Sequence, residues 1–277
     1  MNEDPRIILV KNEENKGILH SNIIGVLNAK GKYIKIIDAD DFLAFENSLS
    51  IMYEEIERNN LDILGFGATQ GQMNMTTYEY IHTSFHDYFE TTPIIYQPEL
   101  SEKAYDKIGN GYITRAGDVL WTYIFRRDLF IKAIKEIDEK FLKIIHNVTN
   151  DNFLFFILTK LAKSLKYIKK FLYVTIQRKL SGNSAVNYYM EEKNRVRNKY
   201  ACRNYLSYIE FVFIKSTNDF KLASFDLKTF FLNNECRKDK DVRNEAIRIC
   251  NLFLENQYIE KALKDEINAY LNEIHEK

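Results

Sequence analysis

The stretch Tyr33–Asp41, with the sequence YIKIIDADD, decides how the rest of the chain is interpreted. Its first five residues are mostly apolar and rich in isoleucine, which is typical of a buried strand. The strand then ends abruptly in a turn that contains Asp38, Asp40 and Asp41. Open α/β sheets bind ligands beyond the carboxyl ends of their parallel strands, so we expect these carboxylates at a ligand-binding edge.

Two of the carboxylates have the spacing of a metal site. Asp38 and Asp40 are two residues apart in an extended segment, so their side chains point in similar directions. Carboxylate oxygens suit Mg²⁺ or Mn²⁺, and a metal held in this way keeps positions open for phosphate oxygens. It would neutralise a diphosphate leaving group as the bond to a sugar breaks. Such a pair also fits helix caps and solubilising charges, so the pattern alone leaves both interpretations open.

Strands and helices alternate around this stretch. Arg6–Val10 predicts a strand, Ile18–Ala29 predicts a helix, and a second helix begins at Asn47 or Ser48. Leu61–Phe66 predicts the next strand. This alternation predicts an α/β domain with a mostly parallel, Rossmann-like sheet that is flanked by helices and joined by right-handed crossovers.

The pattern is irregular in the middle of the chain and helical at its end. Residues 69–116 predict loops with short strands, and a largely apolar helix begins near Asp151. Tyr167–Ile176 predicts a further strand, hairpin or edge. We therefore divide the chain into a domain of residues 1–187 and a C-terminal helical region of residues 188–277, which we expect to pack against that domain.

Composition and charge exclude some classes of protein. The chain of 277 residues contains 39 Lys and Arg and 39 Asp and Glu, so its charge gives no support to nucleic-acid binding. No stretch approaches the roughly 20 apolar residues of a membrane span, so we expect no integral membrane segment. Cys202, Cys236 and Cys250 fit neither a zinc pattern nor a disulfide framework, which predicts reduced thiols in a cytoplasmic protein.

An ordered set of motifs around the aspartates resembles the family-2 glycosyltransferases, which have the GT-A fold. The resemblance extends from about residue 6 to residue 184. The segments that carry it are, in chain order, Asn15-Lys16-Gly17, Gly25, Ala29–Ile34, Asp38–Asp41, Leu120-Trp121, Phe125–Leu129, Asn150–Phe153, Leu172-Tyr173, Gln177-Arg178 and Ser181.

The resemblance implies roles for three aspartates. Asp38 would face the ribose or base of a nucleotide-sugar donor, with a UDP-sugar expected, and Asp40 would ligate Mn²⁺ or Mg²⁺. Asp151 would be the general base that removes a proton from the acceptor hydroxyl during an inverting displacement. Asp151 also fits an ordinary helix-start aspartate, because the helix dipole stabilises a carboxylate there.

Further positions are assigned in the same way. Asn15 and Gly17 belong to the donor-binding positions that the resemblance implies, and Arg178 would contact the donor phosphates or cap a surface. Trp121 and Tyr123 would line an acceptor pocket or belong to the core. Together these positions imply an inverting, hexosyltransferase-like enzyme that acts on a glycan, lipid or protein acceptor.

The sequence departs from the family pattern at several places. The family's Arg-Asn in the first helix is Asn22-Ile23 here, its Glu before the base is Asn150, and the first Arg of its closing motif is Ile176. The resemblance implies that the chain begins at the position of the family's third strand. We therefore expect Arg6–Val10 to pair in parallel with Tyr33–Ile37; otherwise the sheet edge stays open and offers a surface for a homo-oligomer.

Two alternatives remain beside a glycosyltransferase. The first is a non-catalytic or incomplete glycosyltransferase fold that acts as a binding module. The second is a haloacid-dehalogenase-type phosphatase, in which Asp38 would be phosphorylated and Asp40 would handle the proton of the leaving group. That family prefers Thr or Val at the position of Phe42, so the second alternative fits less well.

Overall fold

The computed structural model describes most of the chain, in two compact units. The described residues are 4–73, 80–86, 91–100, 120–144, 150–176, 194–216, 220–231, 236 and 239–275. One unit comprises Met1–Ile145 and Asn150–Tyr188, and the other comprises His146–Thr149 and Tyr189–Lys277. The expected boundary after residue 187 lies outside the described residues, and the packing of the tail against the first domain stays a prediction.

The first unit mixes helices and strands, and the second is helical. The elements of the first are α1 (Gly17–Asn28), β1 (Tyr33–Lys35), β2 (Phe42–Leu43), α2 (Ser48–Arg58), β3 (Ile63–Met73), β4 (Tyr80–His86), β5 (Ile95–Tyr96), a 3-10 turn (Leu120–Thr122), β6 (Tyr123–Arg126), α3 (Arg127–Lys135), α4 (Glu139–Leu142), α5 (Asn150–Leu161) and β7 (Ser164–Ile176). Those of the second are α6 (Asn194–Lys215), α7 (Lys221–Phe231), α8 (Lys240–Glu255) and α9 (Lys261–His275). The predicted α/β class and the helical C-terminal region are confirmed.

The seven strands of the described residues form one mixed sheet. Its strand order is β1-β6-β3-β7-β2, with β4 beside β3 and β5 beside β7. β3 and β7 are parallel, and β6 runs antiparallel between β1 and β3, so β1, β3 and β7 all point the same way. The other described ladders are antiparallel, so the expectation of a mostly parallel sheet is corrected. Periodicity could not show this, because a short apolar run is equally buried in either kind of ladder.

The expected strand Arg6–Val10 does not form, and its pairing with β1 is wrong. The four apolar residues Ile7 to Val10 are exposed, with Leu9 at 77%. On its paired side β1 contacts β6, with Tyr33 opposite Arg126, and within the described part of the chain its other side carries no strand. An apolar run shows that a segment suits a strand but does not name a partner. Association of two copies through this open edge stays a prediction.

Helices cover both faces of the sheet. α2 packs on one face, where Ile56 joins a core cluster with residues of β3, β6 and β7. On the other face, Phe130 of α3 meets Phe125 edge-to-face with ring centroids 5.4 Å apart, and Phe155 of α5 lies 4.9 Å from Tyr123. Since alternate residues of β6 point to opposite faces, this short strand contributes to both cores.

A disulfide links two of the three cysteines in the helical unit. Cys202 of α6 is bonded to Cys236, with their Cα atoms 5.6 Å apart, whereas Cys250 of α8 is a buried free thiol. The prediction of three reduced thiols is therefore wrong for Cys202 and Cys236. The two cysteines are 34 residues apart, so their spacing in the sequence did not indicate that the fold brings them together. Within the described ranges, no helix combines the length and the apolar character that crossing a membrane requires.

Candidate active site

The candidate site lies at one edge of the sheet, which we call the carboxyl edge. It consists of the carboxyl ends of β1 and β7 and the beginning of β6, which reaches the same place because it runs antiparallel to β1. Lys35, the last residue of β1, is paired with Ile124 and donates a hydrogen bond to the carbonyl oxygen of Trp121. The turn Asp38–Asp41 follows directly, so the strand order brings it beside the turn that contains Trp121.

Asp41 anchors the aspartate turn to β7. Its Oδ1 accepts the backbone N–H of Ile176 at 2.9 Å, and its Oδ2 accepts the hydroxyl of Tyr173 at 3.0 Å. The backbone N–H of Asp41 donates to the carbonyl oxygen of Asp38 at 3.1 Å, which closes the turn. Asp41 thus has a structural task that the sequence pattern did not reveal, since its partners follow it by more than 130 residues.

The electrostatics of the turn favour a cation. Desolvation raises the pKa of Asp38, and the neighbouring carboxylates of Asp41 and Asp40 raise it further. Desolvation also raises the pKa of Asp41, although its bonds to Ile176 and Tyr173 act in the opposite direction. Negative charge concentrated in this way is stabilised by a bound cation. A divalent metal therefore fits the chemistry of these residues.

The described residues would offer such a metal few ligands. Among the described residues, no group of three or more His, Cys, Asp or Glu side chains is arranged to hold a metal ion. Mg²⁺ is commonly bound through one or two carboxylates, with substrate phosphates and water completing its coordination. A metal at Asp40 would be bound in this way, so its binding would depend on the donor phosphates.

A half-buried lysine lies beneath the turn. The Nζ atom of Lys35 donates to the carbonyl oxygen of Ile36 at 2.7 Å, and it lies over the rings of Tyr173 and Phe66 at 4.3 and 5.3 Å. Burial lowers the pKa of Lys35 to about 7, while the negative charges of Asp38 and Asp41 act against this shift. Lys35 was missed in the sequence, where a lysine inside an apolar strand suggests only a solvent-facing position.

We expect Lys35 to make the protein more stable as the pH rises from about 7 towards 10. In the unfolded chain its pKa is near 10.5, so over this window the unfolded state keeps a proton that the folded state has lost. The slope is at most about 1.4 kcal/mol per pH unit. Urea unfolding measures the free energy of unfolding of the wild type and of Lys35→Met. We expect the value for the wild type to increase relative to that of Lys35→Met between pH about 7 and pH about 9. A difference that does not change with pH would contradict this prediction.

Asp151 lies at the carboxyl edge together with the aspartate turn. It is in the first turn of α5, as predicted, and its Oδ2 accepts the backbone N–H of Leu120 at 3.3 Å. The next residue is Trp121, whose carbonyl oxygen accepts the ammonium of Lys35. A short chain of contacts therefore connects Asp151 with the end of β1. The expected separation of about 10 Å or less between Asp151 and the pair Asp38 and Asp40 stays a prediction.

The other assigned positions differ in what surrounds them. Asn15 accepts the backbone N–H of Gly17 at 2.9 Å, and Gly17 has a φ of 84°, a conformation that favours glycine, so this motif forms the turn that begins α1. Tyr123 is fully buried, which confirms its core assignment. Trp121 is half-buried and stacks on the Tyr173 ring with centroids 5.1 Å apart. Arg178 lies outside the described residues.

Known proteins share both sequence and fold with this chain. The model of the family "Glycosyl transferase family 2" matches residues 1–124. The uncharacterized glycosyltransferase EpsJ of Bacillus subtilis (strain 168) is 29% identical over 136 residues, which are 49% of this chain and 36% of EpsJ. The glycosyltransferase GlyG of Streptococcus pneumoniae serotype 4 is 30% identical over 64 residues, which are 23% of this chain and 21% of GlyG. The chain thus spans about a third or less of the curated relatives that it matches.

Two crystal structures of S. aureus TarS resemble the fold. One has a TM-score of 0.52 and 14% identity, and covers 94% of this chain and 64% of the TarS chain. The other, in complex with UDP-GlcNAc, has a TM-score of 0.50 and 14% identity, and covers 87% of this chain and 61% of the TarS chain. The predicted GT-A-like fold and the predicted likeness to family-2 glycosyltransferases are confirmed.

Proposed function

We propose that this chain, whose residues 1–124 match the model of glycosyl transferase family 2, transfers a sugar from a nucleotide-sugar donor to an acceptor hydroxyl with the help of a divalent metal. The observation that carries the proposal is the carboxyl edge, where one set of contacts connects the aspartate turn with Asp151 through Lys35, Trp121 and Leu120. A donor that occupies this edge would lie between carboxylates suited to a metal and a carboxylate suited to a base.

The aspartate turn would bind the donor. Asp40 would ligate Mn²⁺ or Mg²⁺, and Asp38 would contact the ribose or base of the nucleotide. The raised pKa of Asp38 supports a cation at this place, because a dication relieves the repulsion among the carboxylates. Since TarS has been crystallised in complex with UDP-GlcNAc, a UDP-sugar is the donor that we propose. Bound metal would neutralise the charge that develops on the departing diphosphate.

Asp151 would be the general base. It would take the proton of the acceptor hydroxyl, and the oxygen would form its bond to the anomeric carbon from the side opposite the diphosphate. The bond between that carbon and the diphosphate oxygen breaks at the same time, and the nucleoside diphosphate leaves with the electron pair. The configuration at the sugar is therefore inverted. A glycan, lipid or protein hydroxyl serves this chemistry equally well.

Asp40→Asn tests the metal assignment. A neutral amide is a weaker ligand than a carboxylate for a hard dication, so we expect affinity for UDP in the presence of Mn²⁺ to fall by about tenfold or more. Calorimetric titration measures it. Glu54→Gln is the matched control, because it removes one negative charge from an exposed position on α2 and is expected to leave binding unchanged. Wild-type affinity in Asp40→Asn would show that Asp40 is not the metal ligand.

A further inference from the structure

One tyrosine joins the elements of the carboxyl edge. The hydroxyl of Tyr173 donates to Asp41 Oδ2, and its oxygen accepts the backbone N–H of Asp38, both at 3.0 Å. Its ring is stacked on Trp121 and lies beneath the ammonium of Lys35. Tyr173 lies in β7 and therefore contacts both ends of the aspartate turn, although it follows them in the sequence by more than 130 residues.

The hydroxyl is well suited to fix this turn. It uses its single proton on Asp41 and a lone pair on Asp38, so it is satisfied only when both ends of the turn are in place. The side chain of Tyr173 is fully buried. Because stacking on Trp121 restricts the ring, the position of the hydroxyl is set by the core.

We propose that Tyr173 is a positioning residue of the donor site, which sets the conformation of the Asp38–Asp41 turn and hence the directions of the Asp38 and Asp40 carboxylates. It acts through the turn and does not itself contact the donor. The inference rests on the proposed function, since the site that it organises is the proposed site for metal and nucleotide. A merely structural tyrosine would fill the core without affecting binding.

Tyr173→Phe separates these roles. The variant keeps the ring, its stacking on Trp121 and its contact with Lys35, and loses only the hydroxyl. Tyr167→Phe is the matched control. Tyr167 is also a buried tyrosine of β7, and its hydroxyl donates to the carbonyl oxygen of Phe66 at 2.9 Å, away from the turn. Tyr173→Phe loses the two hydrogen bonds of its hydroxyl and Tyr167→Phe loses one, so we expect Tyr173→Phe to lose more stability.

Two measurements report on the turn. Amide hydrogen exchange at Asp38, followed by NMR, is expected to speed up about tenfold in Tyr173→Phe and to stay unchanged in Tyr167→Phe, because only the first variant removes the acceptor of this N–H. Calorimetric titration with UDP and Mn²⁺ is expected to show about five- to tenfold weaker binding in Tyr173→Phe and less than a twofold change in Tyr167→Phe.

The outcomes separate the inference from the proposed function. Unchanged exchange at Asp38 in Tyr173→Phe would overturn the inference. Faster exchange with unchanged binding would also overturn it, because the conformation of the turn would then have no effect on the site. If the wild type binds no nucleotide with Mn²⁺, the proposed function fails, whereas faster exchange at Asp38 would still support Tyr173 as the residue that fixes the turn.

Discussion

Asp151→Asn is expected to lower turnover by about 100-fold or more while donor affinity stays within about twofold of the wild type. The amide cannot take up the proton of an acceptor, but its oxygen can still accept the backbone N–H of Leu120, so the beginning of α5 should keep its structure. Turnover is measured as release of UDP from UDP-GlcNAc with water as the acceptor. Donor affinity is measured by calorimetry with UDP and Mn²⁺.

Asp128→Asn is the matched control for this prediction. Asp128 is also an aspartate in the first turn of a helix, where it accepts the backbone N–H of Leu129 at 2.9 Å. It follows the carboxyl end of β6, which lies at the opposite edge of the sheet because β6 is antiparallel to β1. We expect the turnover of Asp128→Asn to stay within about twofold of that of the wild type. An equal loss in both variants, or full turnover in Asp151→Asn, would refute Asp151 as the base.

Gly65→Ala is expected to destabilise the first unit by about 1–3 kcal/mol. A Cβ atom at Gly65 would lie 2.1 Å from Cε2 and 2.4 Å from Cδ2 of the Tyr167 ring. That ring is buried, meets Tyr123 edge-to-face, and is fixed by its bond to the carbonyl oxygen of Phe66. It cannot move aside without losing these contacts, so either the ring or the strand must shift.

Gly25→Ala adds the same methyl group where there is room for it. Among the described residues, no heavy atom outside the backbone of α1 would lie within 4 Å of a Cβ at Gly25. Because alanine favours a helix, this variant is expected to stabilise the protein by about 1 kcal/mol. Urea unfolding measures the change in the free energy of unfolding for Gly65→Ala and for Gly25→Ala. Equal effects of the two substitutions would show that Tyr167 does not restrict position 65.

Local pattern predicted the elements that carry the site. The periodicity of α1 and α2, the apolar run that ends in Asp38, and the helix that has Asp151 in its first turn are all encoded within a few neighbouring residues. The structure therefore agrees with the sequence at these places. The exception is Arg6–Val10, which has the composition of a strand but no described partner. Composition alone could not show that no described strand pairs with this segment.

The sequence pattern could not predict contacts between distant segments. The insertion of β6 between β1 and β3, the link from Tyr173 to Asp41 and the bond between Cys202 and Cys236 all depend on how the elements pack. Lys35 belongs to the same group, because the position of its half-buried ammonium is explained only by the rings and carbonyl oxygens that it contacts. The structure thus identified the residues that organise the aspartates, whereas the sequence had already identified the aspartates themselves.

The measurement that tests the central claim most directly is a crystal structure of this chain with UDP and Mn²⁺, with the metal located by its anomalous scattering. We predict a manganese ion at the carboxyl edge, at a coordination distance of about 2 Å from a carboxylate oxygen of Asp40. The diphosphate should complete its coordination, and Asp151 should face the same cleft. UDP and manganese bound elsewhere on the protein, with Asp40 and Asp151 on no shared cleft, would contradict the account.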